Sequence, residues 1–189
     1  MENDLSKQPM SRRVLFNFIG CAVSTAIMGI LALYTHSPFI FPSLGPTAFL
    51  FFSTPTQPTA SPRNTIIGHA IGTLAGYFSL VVTGLTAAGP TFIVGVTWSR
   101  VIAAALSLAL TGGLMILLRV SHPPAGATTL IISLGTLTKP LQLGVLMIAV
   151  ILLTLLAIII HRITGVPYPL WSPISAEKDD TSKKSEAWL

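Results

Sequence analysis

Acidic side chains are missing from almost the whole of this 189-residue chain, which has six Asp and Glu in all. Glu2 and Asp4 lie near one end, the other four lie at or after Glu177, and residues 5–176 contain none. Charged residues make up 9% of the sequence and hydrophobic residues 51%, whereas soluble domains carry about 25% charged residues. These proportions exclude a soluble domain, a disordered chain and a nucleic-acid-binding module, which needs a strongly basic surface. The sequence therefore predicts a membrane protein with membrane lipid, and no nucleic acid, among its partners.

Cysteine is nearly absent too, since Cys21 is the single one. An intramolecular disulfide and a multi-cysteine metal site are therefore excluded. The sequence has no H-E-x-x-H metal motif. Its long stretch without acids offers no carboxylate pair for acid–base catalysis and no acid to orient a catalytic histidine. We therefore expect no catalytic residues, no bound metal and no cofactor, and a function other than that of an enzyme.

Long apolar runs are what the sequence has in abundance. A helix needs ~20 mostly apolar residues to cross a hydrocarbon core about 30 Å thick. Four charge-free runs of about that length predict four transmembrane helices, at about 14–34, 64–85, 101–118 and 141–160. The last of these runs is apolar all round, so we expect it to face lipid or a subunit interface.

These runs divide the chain into a cytoplasmic segment at 1–13, a transmembrane domain at 14–162 and a cytoplasmic tail at 163–189. The first segment contains acidic residues and lacks an A-x-A-like cleavage site, which argues against a signal or transit peptide. We therefore expect the first apolar run to stay in the membrane. The end of the tail mixes charges of both signs without apolar periodicity, which predicts disorder.

Two further apolar segments are too short and too interrupted to cross the membrane as continuous helices. They are 38–53 (PFIFPSLGPTAFLFFS) and 121–135 (SHPPAGATTLIISLG). Apolar runs of this kind are more often re-entrant or interfacial than spanning. The sequence therefore predicts an all-α membrane protein with four transmembrane helices and two re-entrant half-helices.

The basic residues then indicate the orientation. If each half-helix returns to the side it entered from, eight basic residues gather on one side: Lys7, Arg12, Arg13, Arg100, Arg162, Lys178, Lys183 and Lys184. The other three, Arg63, Arg119 and Lys139, lie on the opposite side. Because positive charges concentrate in cytoplasmic loops, this arrangement places both termini in the cytoplasm.

Two features near the third run depend on the same arrangement. Trp98 lies beside Arg100 as an interfacial anchor would, so we expect Arg100 at the membrane surface rather than as a buried charge. The stretch 90–97 is expected to lie at the cytoplasmic interface.

The two halves of the chain resemble one another when shifted by 81 positions. The identities are Pro42 with Pro123, Gly45 with Gly126, and Thr47 with Thr128. Three matches are equally consistent with an internal duplication and with chance. With two spans in each half, a duplication would give parallel repeats whose half-helices enter from the same side.

The half-helices are the best candidates for a binding site. Pro123 and Pro124 predict a helix start whose first amide groups point toward the bilayer centre. A helix N-terminus carries about half a positive charge and binds anions. The candidate anion-binding residues are His122, Pro123, Pro124, Ala125, Gly126, Ala127, Thr128 and Thr129, with Ser43, Gly45, Thr47 and His69. The alternative is a structural plug whose irregular backbone is tolerated because protein covers it.

The two histidines of this set have alternatives of their own. His69 lies inside the second run, where an ionisable residue marks a pathway or forms a neutral interhelical hydrogen bond. His122 is either a ligand or a helix cap. Gly68, Gly72 and Gly76 recur every four residues beside His69, and they predict close helix packing on one face.

The segment Ser121–Thr129 (SHPPAGATT) resembles the signature of the HPP family, integral membrane proteins named for their His-Pro-Pro triplet. The earlier stretch Phe41–Ala48 (FPSLGPTA) is similar to the other signature segment of that family. The resemblance extends over about 12–162. It implies a small multi-span membrane protein, and it implies nitrite transport, since that activity is reported for plastid members.

The resemblance and the residues together lead to a transporter or channel for a small inorganic anion, nitrite first, as the leading hypothesis. Transport is passive or linked to protons, which His69 or His122 would handle. The alternative is a non-transporting scaffold or sensor subunit. We expect a homo-oligomer in a bacterial cytoplasmic membrane, because so few membrane segments make a small bundle and no transit peptide is evident.

Overall fold

The computed structural model of the chain describes residues 5–174, and this range folds into helices without any β-strand. The α-helices are α1 (Met10–Thr35), α2 (Leu44–Ser53), α3 (Pro62–Val82), α4 (Thr91–Val94), α5 (Trp98–Leu117), α6 (Pro124–Ser133) and α7 (Pro140–Thr164). Two short 3-10 helices cover Leu5–Lys7 and Pro58–Ala60. The predicted disorder of the end of the tail concerns residues outside the described range.

The predicted all-α architecture is confirmed. Helices α1, α3, α5 and α7 have 26, 21, 20 and 25 residues and are long and apolar enough to cross a membrane. Helices α2 and α6 have ten residues each and fall in the two segments expected to hold half-helices. Proline occupies the first position of α3, α6 and α7, where its missing amide proton costs no helix hydrogen bond.

Three helix ends meet at one end of the bundle, which we call the amino end. The ring of Phe16, in the second turn of α1, packs edge-on against His161 near the end of α7, with 5.4 Å between the centroids. The Arg63 amide, at the start of α3, donates to the carbonyl oxygen of Trp171, which follows α7. Helices α1 and α3 therefore begin at the amino end, and α7 finishes there.

Helix α5 runs antiparallel to α3 and also finishes at the amino end. Its residue Met115 approaches Gly68, in the second turn of α3. At the far end of the bundle, the Arg100 side chain at the start of α5 donates to the carbonyl oxygens of Gly89 and Ser133. Since Ser133 ends α6, that helix finishes at the far end, where α7 begins.

These directions determine how the two half-helix segments are threaded. Helix α1 finishes at the far end and α3 begins at the amino end, so the segment 36–61 with α2 passes from one end to the other. The segment 118–139 with α6 passes in the opposite direction. A ten-residue helix covers about 15 Å, and extended backbone adds up to ~3.3 Å per residue. Each segment therefore carries the chain across as half helix and half irregular backbone.

The two half-helix segments were expected to return to the side from which they entered, but each one crosses to the other end. The expected parallel arrangement of the two halves is therefore wrong. Each half of the chain passes between the ends three times, so the second half runs inverted relative to the first. Helices α2 and α6 point in opposite directions, and their N-terminal turns meet in the middle of the bundle, where Thr47 and Thr128 contact His69. The apolar lengths in the sequence could not reveal this, because extended backbone crosses more distance per residue than helix.

The threading also moves several basic residues and the short helix α4. Arg63 and Arg119 lie at the amino end together with Arg12, whereas the expectation placed them on the opposite side. The stretch 90–97 lies at the far end, where the Thr91 amide donates to the Leu134 carbonyl oxygen at 2.9 Å. It was expected on the same side as the chain's first residues. That placement is wrong because the segment 36–61 crosses the bundle.

Arg100 is buried, with 2% of its surface exposed, which corrects the expectation of a surface anchor. Its Nη1 donates to the Ser133 carbonyl oxygen at 2.9 Å and its Nη2 to the Gly89 carbonyl oxygen at 2.8 Å. The end of a helix carries a partial negative charge, so the guanidinium stabilises the end of α6. Trp98, by contrast, is exposed.

The core lies between α2, α3, α6 and α7. The expectation that α7 faces only lipid or a partner is wrong for one face, whose buried residues include Leu146, Ala149, Val150 and Leu153. Helix α1 is more peripheral than α7, and only three of its residues are buried, Gly20, Ser24 and Met28.

The glycine face of α3 packs against the α6 segment, as the sequence predicted. A Cβ atom built on Gly68 would lie 2.8 Å from the His122 Cβ, and one on Gly72 would lie 2.6 Å from the Ala125 carbonyl oxygen. A Cβ on Gly76 would meet the Ile132 Cβ at 2.9 Å. The absence of side chains on this face brings the half-helix next to His69.

Candidate functional site

Two histidines form the centre of the candidate site. His69 lies in the second turn of α3, and His122 lies in the connection just before α6. Both side chains are fully buried. Their Nε2 atoms are 3.2 Å apart and their ring centroids 4.9 Å apart. Gly68 makes this approach possible, because any larger residue there would contact the Cβ of His122.

A threonine from each half-helix bonds to this pair. Thr128, the fifth residue of α6, places its Oγ1 2.7 Å from His69 Nδ1. Thr47, the fourth residue of α2, places its Oγ1 3.0 Å from His69 Nε2 and 3.2 Å from His122 Nε2. Both threonine side chains are fully buried. The N-terminal turns of the two half-helices therefore converge on the histidine pair.

The other nitrogen of His122 is held from the amino end. Its Nδ1 lies 2.8 Å from the Thr59 carbonyl oxygen and 3.3 Å from Thr65 Oγ1. These contacts attach His122 to the 3-10 turn at Pro58–Ala60 and to the first turn of α3.

The acceptors around the pair define its neutral tautomers. A carbonyl oxygen only accepts hydrogen bonds, so the proton of neutral His122 is on Nδ1 and its Nε2 is an acceptor. His69 then donates from Nε2 to His122 Nε2 and accepts at Nδ1 from the Thr128 hydroxyl. The Thr47 hydroxyl also accepts from His69 Nε2, and it lies 3.0 Å from the Ser43 carbonyl oxygen, to which it donates. The neutral pair therefore has a partner at every ring nitrogen.

The predicted site residues separate into two groups in the structure. His69, His122, Thr47 and Thr128 come together as described. The remaining eight lie around the cluster or away from it: Ser43, Gly45, Pro123, Pro124, Ala125, Gly126, Ala127 and Thr129. Gly45 and Pro123 are exposed, and Gly126 is half-buried opposite Leu108 of α5. Pro124 and Ala125 are buried, the latter against α3.

Two of the amide groups expected to bind an anion already have acceptors. The Ala125 amide donates to the His122 carbonyl oxygen at 3.1 Å, and the Gly126 amide donates to that of Pro123 at 2.9 Å. The tight turns at the start of α6 therefore use two amide groups that were expected to be free for an anion. The dipole of the helix still points at the histidine pair.

Two of the predicted site residues carry a hydroxyl group with no hydrogen-bond partner within residues 5–174. They are Ser43 Oγ and Thr129 Oγ1, and both side chains are fully buried. Ser43 directly precedes α2, and Thr129 follows Thr128 in α6. Unpaired buried hydroxyls are costly. Each of these two groups can still form hydrogen bonds, Ser43 just before α2 and Thr129 at the sixth position of α6.

Two contributors were not identified from the sequence, namely the Thr65 hydroxyl and the Thr59 carbonyl group. Thr65 precedes His69 by four residues, and residues at this spacing share a helix face. Thr65 could therefore have been identified from its spacing to His69. The Thr59 carbonyl group could not be identified from the sequence, because its position depends on the 3-10 turn at Pro58–Ala60.

A groove of 350 Å³ lies at the amino end, next to the segment that holds His122. It runs between the end of α5 and the start of the α6 segment, and His122 forms part of its wall. Arg119 also lines it and adopts a left-handed backbone conformation, with a φ of 52°. Arg119 is the one positively charged side chain among the residues that line the groove.

The described residues contain no group of three or more His, Cys, Asp or Glu side chains that could hold a metal ion. The four spanning helices and the two interrupted segments define the chain as a multi-pass α-helical membrane protein with polar groups at its centre. Residues 6–169 match the family described as HPP, transmembrane region. The chain belongs to the HPP transmembrane family.

Two curated proteins of Dictyostelium discoideum, each described as a transmembrane protein, are similar to this chain. One is 32% identical over 121 residues, which cover 64% of this chain and 39% of the relative. The other is 32% identical over 117 residues, covering 62% and 34%. The chain thus matches between a third and two-fifths of the length of these relatives. No solved structure matches it.

Proposed function

We propose that this chain carries a small inorganic anion, nitrite first, across the membrane and binds it between the N-terminal turns of α2 and α6. The observation that carries the proposal is the convergence of these two turns, from opposite directions, on the buried His69–His122 pair. Broken helices with N-termini that face one another at mid-membrane are typical anion sites of transporters.

Electrostatics favours an anion over a cation at this place. Each half-helix contributes about half a positive charge at its N-terminus, and residues 5–176 contain no carboxylate to attract a cation. The hydroxyl groups of Ser43 and Thr129 have hydrogen bonds left to donate. In the described conformation the ring nitrogens and Thr47 bond to one another, so an anion would enter by replacing some of these bonds.

The distribution of basic residues supports an orientation with the amino end in the cytoplasm. Six of the eight basic residues in 5–174 lie at that end: Lys7, Arg12, Arg13, Arg63, Arg119 and Arg162. The other two are Arg100 and Lys139, and Arg100 is buried. By the positive-inside rule this end is cytoplasmic. We place the protein in a bacterial cytoplasmic membrane as a homo-oligomer, with the exposed apolar face of α1 available to lipid or to a second copy.

Flux measurements on the full chain in liposomes test the proposal. We expect nitrite to enter these liposomes faster than it enters empty ones, because the protein replaces the hydration that the anion loses in the bilayer. In detergent, nitrite at a hundred times its dissociation constant should stabilise the fold by about 2.7 kcal/mol.

Chloride and sulfate serve as comparison anions in both measurements. If neither nitrite nor nitrate crosses faster than in empty liposomes, and no anion raises the unfolding temperature, the transport proposal is rejected. The scaffold or sensor alternative would then account for the buried cluster as a structural core.

The positive charge of Arg119, one of the residues that line the groove, provides a residue-level test. Arg119→Gln removes that charge and keeps the side-chain length close to the original. A charged entrance raises the local anion concentration, so we expect the KM for nitrite to rise about threefold at low ionic strength, with kcat unchanged. The difference should vanish in high salt, because the Debye length falls to about 3 Å at 1 M.

Arg162→Gln is the matched control, since Arg162 is exposed at the same end but does not line the groove. An equal rise of KM in both variants would indicate a general surface-charge effect and would remove the groove from the path. An unchanged KM in Arg119→Gln would have the same consequence.

A further inference from the structure

We propose that the His69–His122 pair takes up one proton with each anion, and that His69 Nδ1 is the atom that receives it. The inference rests on the proposed anion site and adds its coupling. In this proposal the Thr128 hydroxyl donates a hydrogen bond to neutral His69 and accepts one from protonated His69.

The geometry of the neutral pair leaves one nitrogen free to accept a proton. His122 Nδ1 already holds a proton for the Thr59 carbonyl oxygen, 2.8 Å away. The proton of His69 lies on Nε2, between the two rings. A proton added to His122 Nε2 would face that one across 3.2 Å. The lone pair of His69 Nδ1, which accepts from Thr128, is therefore the position where a proton fits without such a clash.

The step is a simple protonation. A hydronium ion of the aqueous phase gives up a proton to the lone pair of His69 Nδ1, so that one O–H bond breaks, one N–H bond forms and a water molecule is released. The Thr128 hydroxyl then turns from donor to acceptor across the same 2.7 Å. Its own hydrogen can point to the carbonyl oxygen four residues earlier, a bond that helical threonines commonly form. The hydrogen bond between the two rings is kept.

The resulting positive charge has no counter-charge in its surroundings. The groups that face the pair are uncharged, namely the Thr47 and Thr128 hydroxyls from α2 and α6, Thr65 from α3, the Thr59 carbonyl group, and Met115 of α5, which packs beside His122 over Gly68.

Titratable side chains elsewhere on the packed elements do not supply a negative charge. Tyr168 donates its hydroxyl to the Ala60 carbonyl oxygen. Arg63 donates to Asn64, and Arg119 lines the groove. An isolated buried charge is unfavourable, and the two helix dipoles add to its positive potential. The protonated pair is therefore stable only with an anion beside it, which couples one proton to one anion.

Coupling is tested with liposomes that contain the full chain and a pH-sensitive dye. A nitrite gradient is imposed at equal pH on both sides, and the signal of empty liposomes, which reports nitrous acid crossing the lipid, is subtracted. We expect one proton to enter per nitrite and no membrane potential to develop. His69→Gln keeps a polar side chain but cannot hold the proton, so internal acidification should be lost.

His161→Gln is the matched control, because His161 is a third buried histidine, which packs against Phe52 and Tyr168 and not against the pair. It should retain one proton per nitrite. Thr128→Ser keeps the reversible hydroxyl and should keep the wild-type pH profile of uptake. Thr128→Val removes the hydroxyl and should shift that profile toward lower pH, since protonated Nδ1 then lacks its acceptor.

The outcomes separate this inference from the proposed function. Nitrite uptake that builds a membrane potential without acidification overturns the coupling and leaves anion transport intact. Retained acidification in His69→Gln overturns the assignment to His69. The absence of nitrite flux in the wild-type protein rejects the proposed function, and the coupling with it.

Discussion

Replacement of Gly72 by alanine is expected to destabilise the protein by about 1–3 kcal/mol, the usual cost of an overpacked core. A Cβ atom at this position would lie 2.6 Å from the Ala125 carbonyl oxygen. That atom belongs to the backbone of α6, so no side-chain rotation relieves the contact and α6 has to move away from α3. The measurement is the unfolding temperature in detergent, together with the fraction of protein that stays monodisperse.

Gly113→Ala is the control for this substitution. Gly113 lies inside α5, and a Cβ atom there would have nothing within 4 Å. Alanine is the better helix former by roughly 0.5–1 kcal/mol, so this variant should equal or exceed the wild type in stability. A Gly72→Ala protein as stable as Gly113→Ala would contradict the close approach of α6 to α3.

Gly72→Ala should also reduce transport, because the contact between α3 and α6 positions Thr128 next to His69. Close packing of Gly68, Gly72 and Gly76 was predictable from their spacing of four. What the spacing did not reveal was the partner. Only the structure shows that the packed element is the half-helix with the candidate site, which links the stability of this interface to the geometry of the histidine pair.

Much of the fold followed from simple physical properties of the sequence. Charge-free runs located the four spanning helices to within a few residues, and the pair Pro123 and Pro124 located the start of α6. The direction of the half-helix segments did not follow, because hydropathy measures the length of an apolar run and not the path of its backbone. Residues such as 38–41 lie outside any helix, and non-helical backbone can cross up to ~3.3 Å per residue, about twice the rise of a helix.

The candidate site was predictable in part for a related reason. Histidines and threonines within apolar segments stand out, so His69, His122, Thr47 and Thr128 were identified as candidates. Their pairing depends on the antiparallel meeting of α2 and α6, which in turn depends on the threading. Arg100 shows the same limit: the neighbouring Trp98 indicated a surface position, but only the fold brings the carbonyl groups of Gly89 and Ser133 to its guanidinium.

His122→Ala is expected to weaken nitrite binding about ten- to hundredfold, since a hydrogen bond to a charged group contributes roughly 1.5–3 kcal/mol. The change also removes the ring nitrogen that accepts the hydrogen bond of His69 Nε2. Uptake should therefore fall further through lost proton coupling. His122→Gln retains an amide that can donate and accept, and it should lose less affinity. Initial uptake rates over a range of nitrite concentrations give both effects.

Separating this loss from unfolding requires a variant that disturbs the fold by a similar amount elsewhere. His161→Ala removes an equally buried imidazole that packs between Phe52 and Tyr168, and it should lower the unfolding temperature while the KM for nitrite stays at the wild-type value. If His122→Ala and His161→Ala lose stability equally and both keep the wild-type KM, the histidine pair has a structural role and the anion binds elsewhere. A raised KM in His122→Ala alone assigns the anion to the place where the two half-helices meet.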